Sequence, residues 1–228
     1  MVKVEAGTFI MSAEDGDNAK DEIPHKATLN RDFYIGKTEV TQAQWKAVMG
    51  RNPSDATGND LPVVKVSWRD AIGFCIELNG MGIAPEGWKF TLPTETQWEY
   101  AARGGKKSFG YKYSGSNNID KVAWHVDNSG KKLHPVATKQ ANELGIHDMS
   151  GNVWEWCSDW YGSYKGDAVV DPVGPSSGSY RVIRGGSSRH FYYNYCSAKD
   201  CRSAERQGYH PDTRDYNLGF RLALVPIE

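Results

Sequence analysis

The apolar residues of this chain come in short segments separated by Gly, Pro and polar residues, and three of these segments repeat with the helical period. Each of the three begins with a hydroxyl residue that is followed three positions later by Gln or Asp. This is the pattern of a capping box, in which both side chains bond to free backbone N–H groups at the start of a helix. The pattern therefore predicts helices over residues 41–49, 67–79 and 94–103, with Gly50 and Gly80 as the C-caps of the first two.

The other apolar segments are short and are bounded by turn residues, which favours strands. The predicted strands cover residues 2–5, 9–11, 32–38, 153–159, 181–184 and 220–225. Because the helices fall in the first half and the strands at both ends, without strand–helix alternation, the pattern predicts an α+β fold. No internal repeat or linker divides the chain, so residues 1–228 are expected to form a single domain.

Residues 188–217 contain no Leu, Ile, Val or Met, although strand-like apolar segments lie on both sides. The segment is rich in Tyr, mixed with Ser, Asn, Asp, His and Thr. This composition is typical of binding surfaces, where rigid aromatic rings are combined with small polar groups. Such a segment cannot form a core of its own, so its neighbours would hold it at the surface. We interpret it as a ligand-binding face; the alternative is a long solvated loop.

The charge balance and apolar content narrow the class of partner. With a net charge of −1, the chain has no electrostatic attraction for nucleic acid or an anionic membrane. It contains no stretch of eighteen apolar residues, so no bilayer span is predicted. The first five residues read as a strand, not as a signal peptide. We expect a cell-surface or extracellular protein from which an export signal or lipid anchor has been removed.

Sequence patterns for catalysis are mostly missing. There is no phosphate-binding Gly-rich loop with a Lys, no H-E-x-x-H and no G-x-S-x-G, and the six His are scattered. Asp148 and Glu155 flank a Gly-Asn turn and offer hard oxygen ligands for calcium, although a simple turn closed by Asn152 explains the same residues. Cys196 and Cys201 allow a redox pair or a copper site, but a disulfide or two buried thiols is the favoured interpretation.

Seven motifs follow one another along nearly the whole chain. They are V-x-x-G-T-F-x-M at 4–11, T-E-V-T at 38–41, P-V-x-x-V-S-W at 62–68, L-P-T-E-x-x-W-E-Y-A-A-R-G at 92–104, G-N-V-W-E-W at 151–156, R-G-G-S at 184–187 and N-L-G-F-R at 217–221. The ordered set resembles the formylglycine-generating enzyme (sulfatase-modifying factor) family. The resemblance implies a C-type-lectin-like fold, with a small twisted antiparallel sheet, two main helices and much irregular structure.

The resemblance also bears on catalysis. The enzyme of that family activates oxygen at copper held by two cysteines in the segment after R-G-G-S. In this chain His190 occupies the first of these positions, and the second falls on Tyr195 or, with a one-residue slip, on Cys196. A copper(I) site of two thiolates needs both sulfur ligands. The departure therefore argues against the oxidase activity, and no copper is expected.

The tail resembles a narrower class. C-R-S-A-x-R at 201–206, Pro211, Arg214 and L-G-F-R-L at 218–222 resemble the fixed frame of variable proteins made by diversity-generating retroelements, which randomise adenines, often in Asn codons. The resemblance implies a non-catalytic protein whose variable side chains bind a protein or cell-surface ligand. The positions predicted to contact that ligand are Ser188, His190, Phe191, Tyr192, Tyr193, Asn194, Tyr195, Ser197, Asp200, Tyr209, His210, Thr213, Asp215 and Tyr216.

Two further expectations concern the base under this face. A framework is predicted on Trp68, Trp98, Trp154 and Trp156, with the tail held by Arg202, Arg206 and Arg214 through carbonyls or carboxylates such as that of Asp212. Alanine at Tyr192, Tyr193 and Tyr209 is expected to leave the melting temperature nearly unchanged. The family's calcium position, carried over residue by residue, falls on the side chains of Asp148 and Glu155 and the carbonyls of Gly151 and Val153.

Overall fold

The three predicted helices begin where the capping boxes place them. In the computed structural model, which describes residues 1–12, 22–189 and 197–227, Thr41, Ser67 and Thr94 are N-caps with both capping-box bonds formed. The helices are α1 (Gln42–Met49), α2 (Trp68–Gly80), α3 (Glu95–Ala102) and the short α4 (Ile119–Val122). Gly50 ends α1 with a φ of 76°, as predicted, but Gly80 lies inside α2 and Met81 is the cap.

Eleven strands are found in the described residues. They are β1 (Val2–Val4), β2 (Gly7–Met11), β3 (His25–Leu29), β4 (Phe33–Ile35), β5 (Trp88–Thr91), β6 (Trp154–Trp160), β7 (Val169–Val170), β8 (Arg181–Arg184), β9 (Arg206–Tyr209), β10 (Leu218–Gly219) and β11 (Ala223–Pro226). Together with the few short helices and long irregular stretches, they confirm the α+β prediction.

The two ends of the chain meet in one antiparallel sheet of order β1-β4-β11-β5. Ile35 in β4 lies opposite Val2 of β1 on one side and Ala223 of β11 on the other. A second sheet has the order β2-β3-β7. Both β1 and β11 pair with β4, which fixes the two ends of the chain in one sheet.

The third sheet, of order β10-β6-β8-β9, separates two hydrophobic clusters. Successive strand residues point to opposite faces of a sheet. On one face Trp154, Trp156 and Ile183 pack with α1 and α2; on the other, Cys157 and Val182 pack with α3. This sheet carries the tail, because β9 and β10 lie at its two edges.

Five strands were not predicted, and the polar β9 shows why. Its sequence, R-Q-G-Y, has no apolar alternation, yet each residue pairs with one of β8. Backbone bonding to an existing strand does not require apolar side chains at an edge. The predicted strand over 220–225 is also shorter than expected, since the carbonyls of Phe220 and Leu222 bond to Val40 and Gly36 outside any ladder.

Candidate ligand-binding face and the charged frame beneath it

Buried arginines anchor the tail to the scaffold, each through a different partner. Arg206, at the start of β9, binds both carboxylate oxygens of Glu95 at 2.8 Å and donates to the carbonyl of Gly162 at 2.7 Å. Both side chains of this pair are almost fully buried. Arg presents a planar fork of donors that matches a carboxylate in this two-bond geometry. The prediction that Arg206 holds the tail is therefore met by a partner in α3.

Arg202 is held by two carboxylates. Its Nη1 and Nη2 atoms lie 2.8 and 2.7 Å from the oxygens of Glu22, and Nη2 is 2.8 Å from Glu205. One guanidinium cannot neutralise two carboxylates, and burial together with Glu22 raises the pKa of Glu205 to about 7. Glu205 is thus a protonatable carboxyl group at the base of the tail.

Arg184 and Arg221 are fully buried and lie on the α3 side of the third sheet. Arg184 bonds to Glu99 and, at 2.6 Å, to the carbonyl of Ala204 in the tail. Arg221 binds both oxygens of Glu155, each at 2.6 Å, and the carbonyl of Gly36 at 3.0 Å. Arg184 thus fixes β8, from which the tail leaves, and Arg221 fixes the segment directly after β10, to which the tail returns.

The second half of the tail is tied down through its backbone. The carbonyl of Asp215 accepts from the backbone N–H of Lys65 at 2.8 Å, and that of Pro211 accepts from Trp68 at 3.0 Å. The main-chain path over α2 is therefore set by bonds that do not depend on the side chains at these tail positions. The backbone N–H of Trp154 donates to the carbonyl of Asn217 at 2.9 Å, and this bond is likewise independent of the tail side chain.

Two ion pairs also join the tail to the start of α2. Arg214 lies 3.0 Å from Asp70 Oδ1, while Asp212 accepts from Arg69 at 2.8 Å. The sequence predicted that arginines of the tail hold this loop through carbonyls or carboxylates, and only its example of an acceptor, Asp212, is wrong. The structure corrects this: Asp212 pairs with an arginine of α2, and Arg214 pairs with a carboxylate of α2.

The predicted ligand contacts divide by exposure. His210 is exposed, whereas Ser197, Asp200, Tyr209, Thr213, Asp215 and Tyr216 are half-buried. The positions from His190 to Tyr195, namely His190, Phe191, Tyr192, Tyr193, Asn194 and Tyr195, lie outside the described residues.

Two of the predicted contacts need correction. Ser188 is fully buried; its N–H donates to the carbonyl of Asn152 and its carbonyl accepts from Ser129, so it belongs to the base and not to the surface. Tyr209 packs its ring against the cluster that contains Trp156. Removing that ring uncovers apolar surface, so the expectation of an unchanged melting temperature does not apply to Tyr209.

A stacked arginine next to Tyr209 was missed by the sequence analysis. The guanidinium of Arg181 lies 3.8 Å from the ring of Trp68 and 3.5 Å from that of Trp160. The indole N–H of Trp68 donates to the carbonyl of Cys157 at 2.9 Å, which fixes the ring. Trp68 is therefore half-buried beside the tail, while Trp98, Trp154 and Trp156 are buried as predicted.

The predicted calcium ligands lie around the turn before β6. Gly151 has a φ of 83°, and a Cβ there would lie 2.3 Å from the carbonyl oxygen of Trp124, so the turn requires glycine. The carboxylate of Glu155 accepts from Arg221 and, at 2.7 Å, from the indole N–H of Trp98. Asp148 accepts from the N–H of Ala137 at 2.7 Å. A calcium ion would have to compete with these bonds, and calcium binding here stays a prediction.

Three of the four cysteines lie among the described residues, and all three are buried. Cys75 and Cys157 are buried free thiols, and burial raises the pKa of Cys75 to about 12. Cys201 is also buried, while Cys196 lies outside the described residues. In the described part of the chain, no three His, Cys, Asp or Glu side chains are grouped so as to hold a metal ion. Over the same residues, no helix has the length and apolar character to cross a bilayer.

Comparison with known proteins identifies the scaffold. Residues 1–225 match the model of the sulfatase-modifying factor enzyme 1-like domain. The chaperone protein LppX of Paenibacillus barcinonensis is 37% identical over 232 residues, covering 82% of this chain and 77% of that protein. The formylglycine-generating enzyme of Streptomyces coelicolor is 37% identical over 200 residues, covering 81% of this chain. The chain spans 59% of that enzyme's length.

Solved structures with this fold include Treponema denticola variable protein 1, with a TM-score of 0.87 and 34% identity over 98% of this chain and 94% of that chain. CarF has a TM-score of 0.75 and 26% identity, covering all of this chain and 98% of its own. The fold predicted from the seven motifs and the resemblance to variable proteins are both confirmed. The chain therefore belongs to the sulfatase-modifying factor enzyme 1-like family.

Proposed function

We propose that this protein is a non-catalytic ligand-binding protein that displays variable Tyr and polar side chains from residues 188–217 on a rigid scaffold. The observation that carries the proposal is how the tail is held. Its main-chain carbonyls at Pro211 and Asp215 and its buried Arg202 and Arg206 make the attachments. The exposed His210 contributes to none of these bonds, so its identity is open to change.

The energetic costs of substitution also support a fixed framework with a variable surface. Large-to-small changes of buried residues cost about 2–5 kcal/mol, whereas changes at exposed positions usually stay within about 0.5 kcal/mol. The framework tryptophans Trp98 and Trp156 are fully buried and separate from the tail surface. A scaffold of this kind tolerates many sequences on one face without unfolding.

The likeness to Treponema denticola variable protein 1 over nearly the whole chain also supports the proposal. Relatives named as formylglycine-generating enzymes make a copper-dependent oxidase acting on a protein cysteine the alternative. That activity needs two thiolates, and His190 stands at the first of the two positions. We infer that this chain has lost the oxidase chemistry and kept the scaffold.

We further propose that the ligand is a protein or another cell-surface molecule and that binding takes place outside the cell. Tyr and Arg side chains dominate the affinity of protein interfaces, and the tail supplies both. The net charge of −1 gives no support to a nucleic-acid ligand.

The first test compares two adjacent tail residues. His210→Ala should leave the melting temperature within about 2 °C of wild type, because an exposed side chain costs about 0.5 kcal/mol at most and each kcal/mol shifts a chain of this size by about 2–4 °C. Tyr209→Ala should lower it clearly, since that ring covers the core. Equal and large losses in both variants would mean that His210 belongs to the fold and would contradict a tolerant surface.

The second test addresses the enzyme alternative. Copper(I) titration of the reduced protein should show no tight one-to-one complex. Stoichiometric tight binding that is lost in Cys196→Ala would overturn the non-catalytic proposal. Cys75→Ala provides the control, because that thiol is buried and belongs to α2, not to the tail.

A further inference from the structure

A cleft of about 420 Å³ lies on the other side of the sheet that carries the tail. Register places Arg206 beside Arg184 and Glu155 on the face toward α3, whereas Tyr209 points to the opposite face. The cleft is lined by Arg206, by residues of β2, β3, β6 and α3, and by the segment 162–175, which contains β7. It is therefore separate from the proposed ligand-binding face.

The walls of this cleft are mainly apolar. They include Met11, Trp160, Val169, Pro172, Val173 and Pro175. A partly enclosed space of a few hundred Å³ with apolar walls and a small number of polar groups is the usual form of a small-molecule site.

Asp159 is the polar group that distinguishes the cleft. Its side chain is almost fully buried and lines the cavity. Oδ2 accepts from the N–H of Glu95 and the hydroxyl of Ser158, both at 2.9 Å, and so caps the start of α3. Among the described residues no donor bonds to Oδ1, and no Lys or Arg forms an ion pair with this carboxyl. Capping thus uses one oxygen and leaves the other for a ligand.

Arg181, which stacks on Trp160, and Arg206 lie near Asp159, but neither forms an ion pair with it. Glu95 and Arg206 are paired with each other, and Lys165 and Asp167 are exposed and of opposite sign. The ring of His25 packs on Tyr164, with centroids 4.6 Å apart. Burial and the neighbouring Glu95 raise the pKa of Asp159 to about 7, although the nearby Arg206 acts in the opposite direction.

We propose that this cleft is a second, fixed binding site for a small ligand that carries an ammonium group on an apolar body. The ammonium donates to Asp159 Oδ1, and the body packs between Val169, Val173 and Pro175. A buried carboxylate with one oxygen free of hydrogen bonds and no ion pair binds an amine more strongly than a neutral group of the same shape, because charge-assisted hydrogen bonds are the stronger ones. This site does not depend on the identity of the tail residues.

The test uses 2-phenylethylamine as the probe and 2-phenylethanol as its neutral counterpart, with binding followed by NMR titration of the full chain. The amine should bind in the millimolar range and more tightly than the alcohol. Asp159→Asn keeps an acceptor for the cap of α3 and removes the charge, so it should weaken amine binding by about tenfold and leave alcohol binding unchanged. Asp167→Asn is the matched control and should have little effect.

A second variant keeps the test independent of the folding of Asp159→Asn. Val173 is 67% exposed at the cleft, so Val173→Arg should fold normally and weaken the amine by charge repulsion. Equal binding of amine and alcohol, no binding of the amine to the wild-type protein, or an unchanged affinity in both Asp159→Asn and Val173→Arg would each overturn the proposal.

Discussion

Replacement of Arg221 by Met tests how strongly the buried charged frame holds this fold. The guanidinium is fully buried and is the ion-pair partner of Glu155, which is also fully buried. Two more carboxyl groups, Glu39 and Asp148, lie close by; burial, first of all, raises the pKa of both. Arg221→Met therefore leaves the Glu155 charge buried without a cation.

The cost follows from this geometry. Removing one partner of a buried ion pair costs about 3–5 kcal/mol, because the other charge remains desolvated. At about 2–4 °C per kcal/mol for a chain of this size, the melting temperature should fall by about 6–20 °C. The loss should be smaller in acid, where the stranded carboxylates take up protons.

The matched control is Arg69→Met, which breaks the pair with Asp212 on the surface. The two side chains of that pair are 67% and 53% exposed, and pairs of this kind contribute about 0–1 kcal/mol. Thermal unfolding followed by circular dichroism, with urea titration for the free energy, gives both values. If the free energy of unfolding of Arg221→Met lies within about 1 kcal/mol of the wild-type value, the buried charged frame is not what stabilises this sheet.

Three further predictions follow from single features of the structure. The pKa values of Asp159 and Glu205 are both raised to about 7, so the folded state binds protons more tightly than the unfolded chain, and the stability that these groups contribute is complete in acid and is lost as the pH rises through 7. The melting temperature of the wild-type protein should therefore fall from pH 5 to pH 8 by more than that of Asp159→Asn. Equal falls in the two proteins would contradict this. Gly186→Ala should unfold the protein or lower its melting temperature sharply, because at a φ of 73° the added Cβ would lie 2.6 Å from a backbone oxygen. Gly50→Ala is the control: its φ is 76°, but the space around it is open, so the change should cost only about 1–2 kcal/mol. Similar losses of stability in thermal unfolding of the two variants would show that the close approach at Gly186 is not what requires glycine. The predicted calcium site requires that excess EGTA lower the melting temperature and the resistance to proteolysis, and unchanged values in both assays would exclude a structural ion there.

Local sequence signals were sufficient for α1, α2 and α3, whereas the short α4 was not predicted. Thr41, Ser67 and Thr94 start α1, α2 and α3 because a capping box is complete within four residues and needs no partner elsewhere in the chain. Strands with apolar sequences, such as β6 and β8, were also found. The ordered motifs identified the fold, since they are spread along nearly the whole chain.

The site was predicted only in part. The composition of residues 188–217 indicated a polar, Tyr-rich surface, and His210 is exposed there. Ser188 and Tyr209 share that composition, yet Ser188 lies in the base and Tyr209 packs against the core. Burial depends on which neighbours cover a residue, and these neighbours come from distant parts of the sequence.

By itself the sequence determined the helix starts, the family fold and the presence of a tail that cannot form its own core, because each follows from residues close together or from motifs in fixed order. Only the tertiary structure decided the partners of the buried charges. It placed Arg206 on Glu95 and Arg202 on Glu22, pairs 111 and 180 residues apart. Charge alone does not choose among the many carboxylates of a chain; the choice is made by which of them is buried within reach once the sheets have assembled.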